Sequence, residues 1–319
     1  MSGIEITGAA NEPQEQVRRA TARSTRQRGR MRLRNPPWWF IVPGLAFYLF
    51  VIIVPAVEGG AFSLTSWDGF SVAKPFVGLA NFARVFTDPL ALQTIKQTLE
   101  LTVAVTVGLV VIGLGLALAL HNLVKSRTIL RVVFFTPVVI APVMVAYLWQ
   151  FIYGPFGPLN SVLQTLGLKN LELSWLGSPD VALWSISAVI IWQYSGYAMV
   201  IFLAGLESIP DEVKEASRMD GANVFQRFRY ITFPLLSPAF VIVLTLAVIM
   251  GLKQFETVWV MTSGGPGNST QTLATLMYQE AFNLNSFGYA TALAVVLSII
   301  VIIVSGVLYS VTSRRNHLS

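Results

Sequence analysis

The sequence predicts an all-α, polytopic membrane protein with six transmembrane helices. Three observations predict it. Hydrophobic residues make up 54% of the 319 residues and charged residues only 12%, with a mean hydropathy of +0.63; such material cannot cover a soluble core with ordinary polar surface. Six apolar stretches each reach the ~20 residues that a helix needs to cross a bilayer. Lys and Arg crowd into alternate connections between those stretches, which is the bias that sets orientation.

The first stretch runs from Trp38 to Val57 and follows a tail, residues 1–36, in which eight of the 22 basic residues lie between Arg18 and Arg34. A tail of this composition is expected to be disordered. Basic residues directly before a span read as a topology signal, with contact to anionic lipid, rather than as a nucleic-acid surface. The stretch starts too late and is too long for the apolar core of a signal peptide, so it is expected to stay in the mature protein.

The second stretch covers Leu101 to Leu120, the third Val132 to Ile152 and the fourth Val181 to Leu206; the fifth covers Ala239 to Met261 and the sixth Tyr289 to Val311. Pro43 and Pro55 punctuate the first, Pro137 and Pro142 the third, and Pro234 and Pro238 the entry to the fifth. They are expected to kink helices, with the freed carbonyls absorbed in packing or lining a site. The tail, the second and fourth connections and the C-terminus hold 17 Lys and Arg, against 4 in the first, third and fifth connections. Both termini are therefore expected in the cytoplasm. Residues 37–319 read as one transmembrane domain with a cytoplasmic loop at about 207–234.

Several chemistries are excluded by composition. Cysteine is absent and His121 and His317 are the only histidines, which removes disulfides, Cys-ligated clusters and a His-rich metal site. The spans carry no paired His or clustered carboxylates, so no catalytic residue is assigned and an integral membrane enzyme is disfavoured.

The cytoplasmic loop is patterned like folded structure. Ser208 and Asp211 have capping-box spacing, with Pro210 between them, so a helix is expected to start there. Val213, Ala216 and Met219 recur at three-residue spacing along it, and Gly221 can take the left-handed conformation that ends it. Asn223 and Gln226 can cap a second helix carrying Val224, Phe225 and Phe228. An interfacial helix lying on headgroups would favour Lys and Arg on its polar face. Mixed charge with small residues also fits a helix that enters a groove on another protein.

These residues resemble a known motif. Glu215-Ala216-Ser217, Gly221, Ile231 and Pro234 match the spacing of the EAA loop of ABC importer permeases, with Ser217 in place of an alanine and Phe233 in place of a leucine. Phe76 to Phe82, Arg131 with Pro137, Trp149, Gly157 to Asn160, Ile209-Pro210, Leu235 to Pro238 and the run from Phe255 to Leu273 resemble the carbohydrate branch of that family. The resemblance implies a type I importer fold in a prokaryotic plasma membrane. It implies Glu215, Ala216, Ser217, Asp220 and Gly221 as the joint to a separate ATPase. Two ATPase subunits, a second related permease and an extracytoplasmic solute-binding protein are the implied partners. No G-x-x-x-x-G-K-[ST] loop occurs in the chain, so ATP and Mg are expected on the partner ATPase and no cofactor on this subunit.

A solute path is sought among polar and aromatic residues of the spans. Lys253, Glu256 and Trp259 are spaced by three in the fifth stretch, which places them on one face of a continuous helix. With Gln254 and Phe255 they supply the aromatic and hydrogen-bonding groups that sugar recognition uses. The alternative is that the span ends at Leu252 and Lys253 snorkels to the interface. Gln193 and Tyr194 in the fourth stretch can line a cavity or bond across helices. Gly264, Gly265 and Pro266 permit a tight outward loop that either faces a binding protein or only connects two spans. The leading function is the permease subunit of an ATP-driven importer for a sugar or sugar-like solute. The rival is an ion-coupled secondary transporter with Lys253 and Glu256 as its relay.

Overall fold

The computed structural model describes residues 38–121 and 127–316; the basic tail and Lys125 lie outside the described residues. The chain divides after Val57 into two units. The first holds most of α1 (Ile41–Phe62), an apolar helix of 22 residues. Over Leu49–Ile53 this helix widens into a π turn. Pro55 follows two residues after its end, and a widened turn relieves the clash of the proline ring with the carbonyl four residues before.

The second unit contains α2 (Ala80–Thr87), α3 (Pro89–His121), α4 (Arg127–Val139), α5 (Pro142–Ile152), α6 (Pro158–Thr165) and α7 (Pro179–Glu207). It continues with α8 (Asp211–Met219), α9 (Val224–Leu235), α10 (Ser237–Leu252), α11 (Glu256–Thr262), α12 (Leu273–Tyr278) and α13 (Phe287–Asn316). Among the described residues, the regular structure other than helix is one antiparallel bridge between Thr65 and Phe76. Four helices, α1, α3, α7 and α13, are long and apolar enough to cross a bilayer alone. Taking each of two bent pairs as one span raises the number to as many as six: α4 with α5 at 97°, and α9 with α10 at 67°. The all-α, six-span expectation is met in this form.

The core of the second unit lies where α3 runs along α7. Leu101, Val105 and Leu109 recur every four residues on α3 and are at most 3% exposed; Ile186, Ile190, Met199 and Phe202 of α7 are fully buried. Lipid tails offer no apolar penalty to drive such helices together, so close backbone approach has to supply the attraction. Gly196 allows it: a Cβ there would run into the carbonyl oxygen of Phe134 on α4. Gly251 of α10 likewise sits where a Cβ would come within 2.8 Å of the Cα of Thr102 on α3.

The α4–α5 break lies at Ile140 and Ala141, between Pro137 and Pro142. A break inside a span exposes carbonyls that lipid cannot satisfy. Gln193 of α7 donates its side-chain N–H to the Ile140 carbonyl at 3.0 Å and is itself completely buried. The prolines thus produce packing that a neighbouring polar side chain completes.

The predicted fifth span is interrupted. A single helix over Ala239 to Met261 is replaced by α10, which ends at Leu252, a break over Lys253 to Phe255, and the separate helix α11. Gln254 is buried in that break and donates to Thr257 Oγ1 at 2.8 Å, while its carbonyl accepts from the Thr272 hydroxyl at 3.1 Å. Thr98 of α3 accepts the Leu273 N–H at 2.9 Å. Side chains of neighbouring segments therefore satisfy the polar groups that a continuous helix would have paired internally.

Candidate functional site

At the end of the second unit where α3 and α7 finish, α8 and α9 form the expected helix, elbow and helix. The Ser208 capping box does not form. Ser208 caps the C-terminus of α7 and its hydroxyl donates back to the Gly205 carbonyl at 2.7 Å, which leaves Pro210 as the residue before α8. Gly221 has φ +75. The Ala222 N–H reaches the Ser217 carbonyl and the Gly221 N–H the Arg218 carbonyl, both at 3.1 Å, so the helix closes in a Schellman motif. The second capping box is complete: Asn223 Oδ1 accepts the Gln226 N–H, and Gln226 Oε1 accepts the Asn223 N–H, both at 2.9 Å. A π turn over Phe228–Thr232 precedes Pro234, repeating the arrangement before Pro55.

Glu215, Ala216, Asp220 and Gly221 are all exposed on this elbow, whereas Ser217 is buried with its hydroxyl on the Lys214 carbonyl at 2.7 Å. The structure therefore turns Ser217 inward, away from the other four. Met219, Val224 and Phe225 stand out from the same elbow at 87%, 74% and 72% exposure. Large apolar side chains grouped beside charges mark a surface for contact with a protein or a membrane. Behind the elbow, Arg127 and Arg131 of α4 both pair with Glu207 at the end of α7, the second at 3.2 Å.

The opposite end of this unit holds the aromatic groups. Phe255 and Trp259 stack at 5.9 Å between ring centres, and Tyr278 contacts both, at 5.3 and 4.7 Å. From Tyr278 the ring contacts continue through Phe282 and Phe287 to Trp67. Asp68 Oδ1 accepts the N–H groups of Ser71 and Phe70 at 2.8 and 3.0 Å, which holds its carboxyl below the usual range and fixes the turn presenting Trp67 and Phe70. A cavity of about 430 Å³ has Lys253, Phe255, Tyr278, Phe282 and Phe287 in its wall.

The sequence-predicted path residues separate into three places. Lys253 and Phe255 reach this cavity and Trp259 stacks against its wall, while Gln254 is buried in the break and Glu256 is exposed at the start of α11. The premise that Lys253, Glu256 and Trp259 share one continuous helix does not hold, because Lys253 ends α10 and the other two begin and continue α11. Gln193 lies at the α4–α5 break, and Tyr194 lines a separate space of about 240 Å³ with Leu109 and Tyr197. Tyr278 and Phe282 also line this cavity, although the sequence did not single them out; their four-residue spacing on one helical face was the available signal.

In the loop after α11, Gly264 is buried under Gln271 and held by the Thr270 N–H at 3.2 Å; Gly265 and Pro266 are half-buried. Gly267 and Asn268 form the exposed tip. Nearby, Glu280 is 4% exposed and Arg84 of α2 reaches its carboxylate at 3.5 Å. The same guanidinium lies 3.8 Å over the Tyr289 ring.

Comparison with known proteins adds a family match. Residues 110–317 match the family described as binding-protein-dependent transport system inner membrane component. The chain is 38% identical over 272 residues to a probable ABC transporter permease of Bacillus subtilis, YurN, an overlap covering 84% of this chain and 93% of that protein. It is 37% identical over 268 residues to the multiple sugar-binding transport system permease MsmF of Streptococcus mutans, covering 84% and 92%. Among solved structures it is similar to a bacterial ABC transporter involved in the import of the acidic polysaccharide alginate. There the TM-score is 0.76 at 20% identity, covering 87% of this chain and 94% of the other, a likeness of fold.

Proposed function

The chain belongs to the inner membrane components of binding-protein-dependent transport systems, the permease subunits of ABC importers, and from that premise we propose that it carries a sugar or sugar-like solute. It is a transport subunit, and ATP with Mg acts on a separate ATPase. In the proposed assembly it pairs with a second, related permease, two ATPase subunits and an extracytoplasmic binding protein, in a prokaryotic plasma membrane with both termini in the cytoplasm. The sugar reading is supported by the permease MsmF and by the aromatic rings at the cavity beside Lys253, since pyranose rings pair apolar faces with a polar rim.

The observation that carries the mechanism is the exposed elbow. Glu215, Ala216, Asp220 and Gly221 lie on a short helix whose end is locked by the Schellman motif and whose successor is locked by a capping box. Such a segment moves as one piece. The ATPase seats on it through Glu215, whose charge needs a polar or basic partner once the joint excludes water, and through Met219, Val224 and Phe225. The elbow leads through α9 into α10, and α10 ends at Leu252, directly before Lys253 on the cavity wall. Displacement of α8 by the ATPase is thereby delivered to the cavity through α9, the 67° bend and α10, which is the hinge-type transmission of a two-state transporter. On the other side, Gly267 and Asn268 are the proposed contact for the binding protein, with Gly264, Gly265 and Pro266 shaping the loop.

Glu215→Lys tests this reading. Membrane insertion is expected to be unchanged, while co-purification with the ATPase and solute uptake fall by about tenfold or more, the size of losing a charged anchor at a packed interface. Normal co-purification with wild-type uptake overturns the proposed joint.

A further inference from the structure

Behind the elbow, between α8, α9 and the end of α3, lies a cavity of about 660 Å³. Its wall carries His121, Lys214, Arg218 and Arg227, with the hydroxyl-bearing Ser217 and Thr232, and no Asp or Glu. Of the neighbouring acids, Glu207 pairs with Arg127 and Arg131 and the largely exposed Asp211 with Lys214 at 3.0 Å, while Glu212, Glu215 and Asp220 are exposed on α8 or at its end and do not line the wall. Arg218 and Arg227 have no carboxylate partner among the described residues. Two polar atoms of the wall, His121 Nδ1 and Arg227 Nε, are buried without a hydrogen-bond partner.

A concave site with two guanidinium groups that lack a carboxylate, a lysine shared with an exposed aspartate, and an unpaired guanidinium N–H beside an unpaired imidazole nitrogen is poorly satisfied when empty. A phosphate group matches it, because its several oxygens accept from a guanidinium fork and from lysine together, at roughly twice the strength of neutral hydrogen bonds. Arg218 comes from α8, Arg227 from α9 and His121 from α3, so one anion would bridge three elements. We propose that this cavity binds a phosphate-bearing anion, either a free phosphorylated compound or the headgroup of an anionic lipid, and that its occupancy braces the elbow against α3. The permease thereby carries a control point at the joint through which ATP hydrolysis reaches it.

The full chain in phosphatidylcholine nanodiscs, titrated calorimetrically with inorganic pyrophosphate, tests the site. Saturable binding is expected, weakened by about tenfold or more in Lys214→Gln/Arg227→Gln and retained in Lys214→Arg/Arg227→Lys. Retention of elution volume and helical content on size exclusion and circular dichroism checks that each variant folds. Where the glutamine pair fails that check, Arg218→Gln, on an exposed face of α8, takes its place with the same expectation. Nanodiscs containing phosphatidylglycerol distinguish the sources: suppression of pyrophosphate binding assigns the site to a lipid headgroup, and persistence assigns it to a free phosphate. Absence of saturable binding, or equal affinity in the folded charge-removing variant, overturns the proposal.

Discussion

Glu280 is a carboxyl group buried between α12 and α13, and burial pushes its pKa up while the Arg84 guanidinium pulls it down. The net direction is upward, so the folded state holds this proton more tightly than the unfolded chain does. Stability from that proton is present below the ordinary carboxyl range and is lost as pH rises through the raised value. Glu280→Gln keeps the shape and removes the titration. Its thermal midpoint is expected to gain on wild type as pH moves from acid toward neutral, measured by unfolding scans at stepped pH. Parallel curves for the two proteins would show that Arg84 compensates the burial completely. Only one charge partner of Glu280 lies within bonding reach among the described residues, which is why the desolvation cost is not already offset by a network.

At the level of elements, two glycines separate steric from conformational demand. Gly221 has open space around it but a φ of +75, so Gly221→Ala is expected to cost about 1 kcal/mol through backbone strain alone. Gly196 has ordinary backbone geometry but faces the Phe134 carbonyl. There Gly196→Ala must push α4 off α7, with an expected loss of about 1–3 kcal/mol. Thermal unfolding of the two variants in detergent should rank them in that order. A larger loss for Gly221→Ala would mean that the elbow is packed more tightly than its surroundings indicate. The α8–α9 elbow was legible in the sequence because local rules decide it: glycine at the left-handed position, and Asn223 three residues before Gln226. Of the α10–α11 break, the end of the helix at Leu252 was the alternative the sequence offered, whereas the buried turn and the restart at Glu256 were not legible. Their cause is the bonding of Gln254 and Thr98 to Thr272 and Leu273, partners far apart in the chain that no periodicity reveals. The Ser208 box failed for a related reason, since α7 runs on to Glu207 and claims the serine for its own end.

For the molecule as a whole, orientation decides which end receives the ATPase and which end the solute. The 17 to 4 distribution of Lys and Arg across alternate connections predicts an elbow facing the cytoplasm, with the Lys169 and α12–α13 connections facing outward. The absence of cysteine makes this directly measurable, because any introduced thiol is the only one in the chain. Glu212 on α8, Lys169 before α7 and Leu284 before α13 are all exposed, so each accepts a cysteine without disturbing the core. A membrane-impermeant maleimide is expected to label Lys169→Cys and Leu284→Cys in intact cells, and Glu212→Cys only after permeabilisation. The reverse pattern would put the elbow outside the cell, out of reach of any nucleotide-driven partner. The ATPase joint at Glu215 would then be untenable, while the packing of α3, α7 and α10, which does not depend on orientation, would stand.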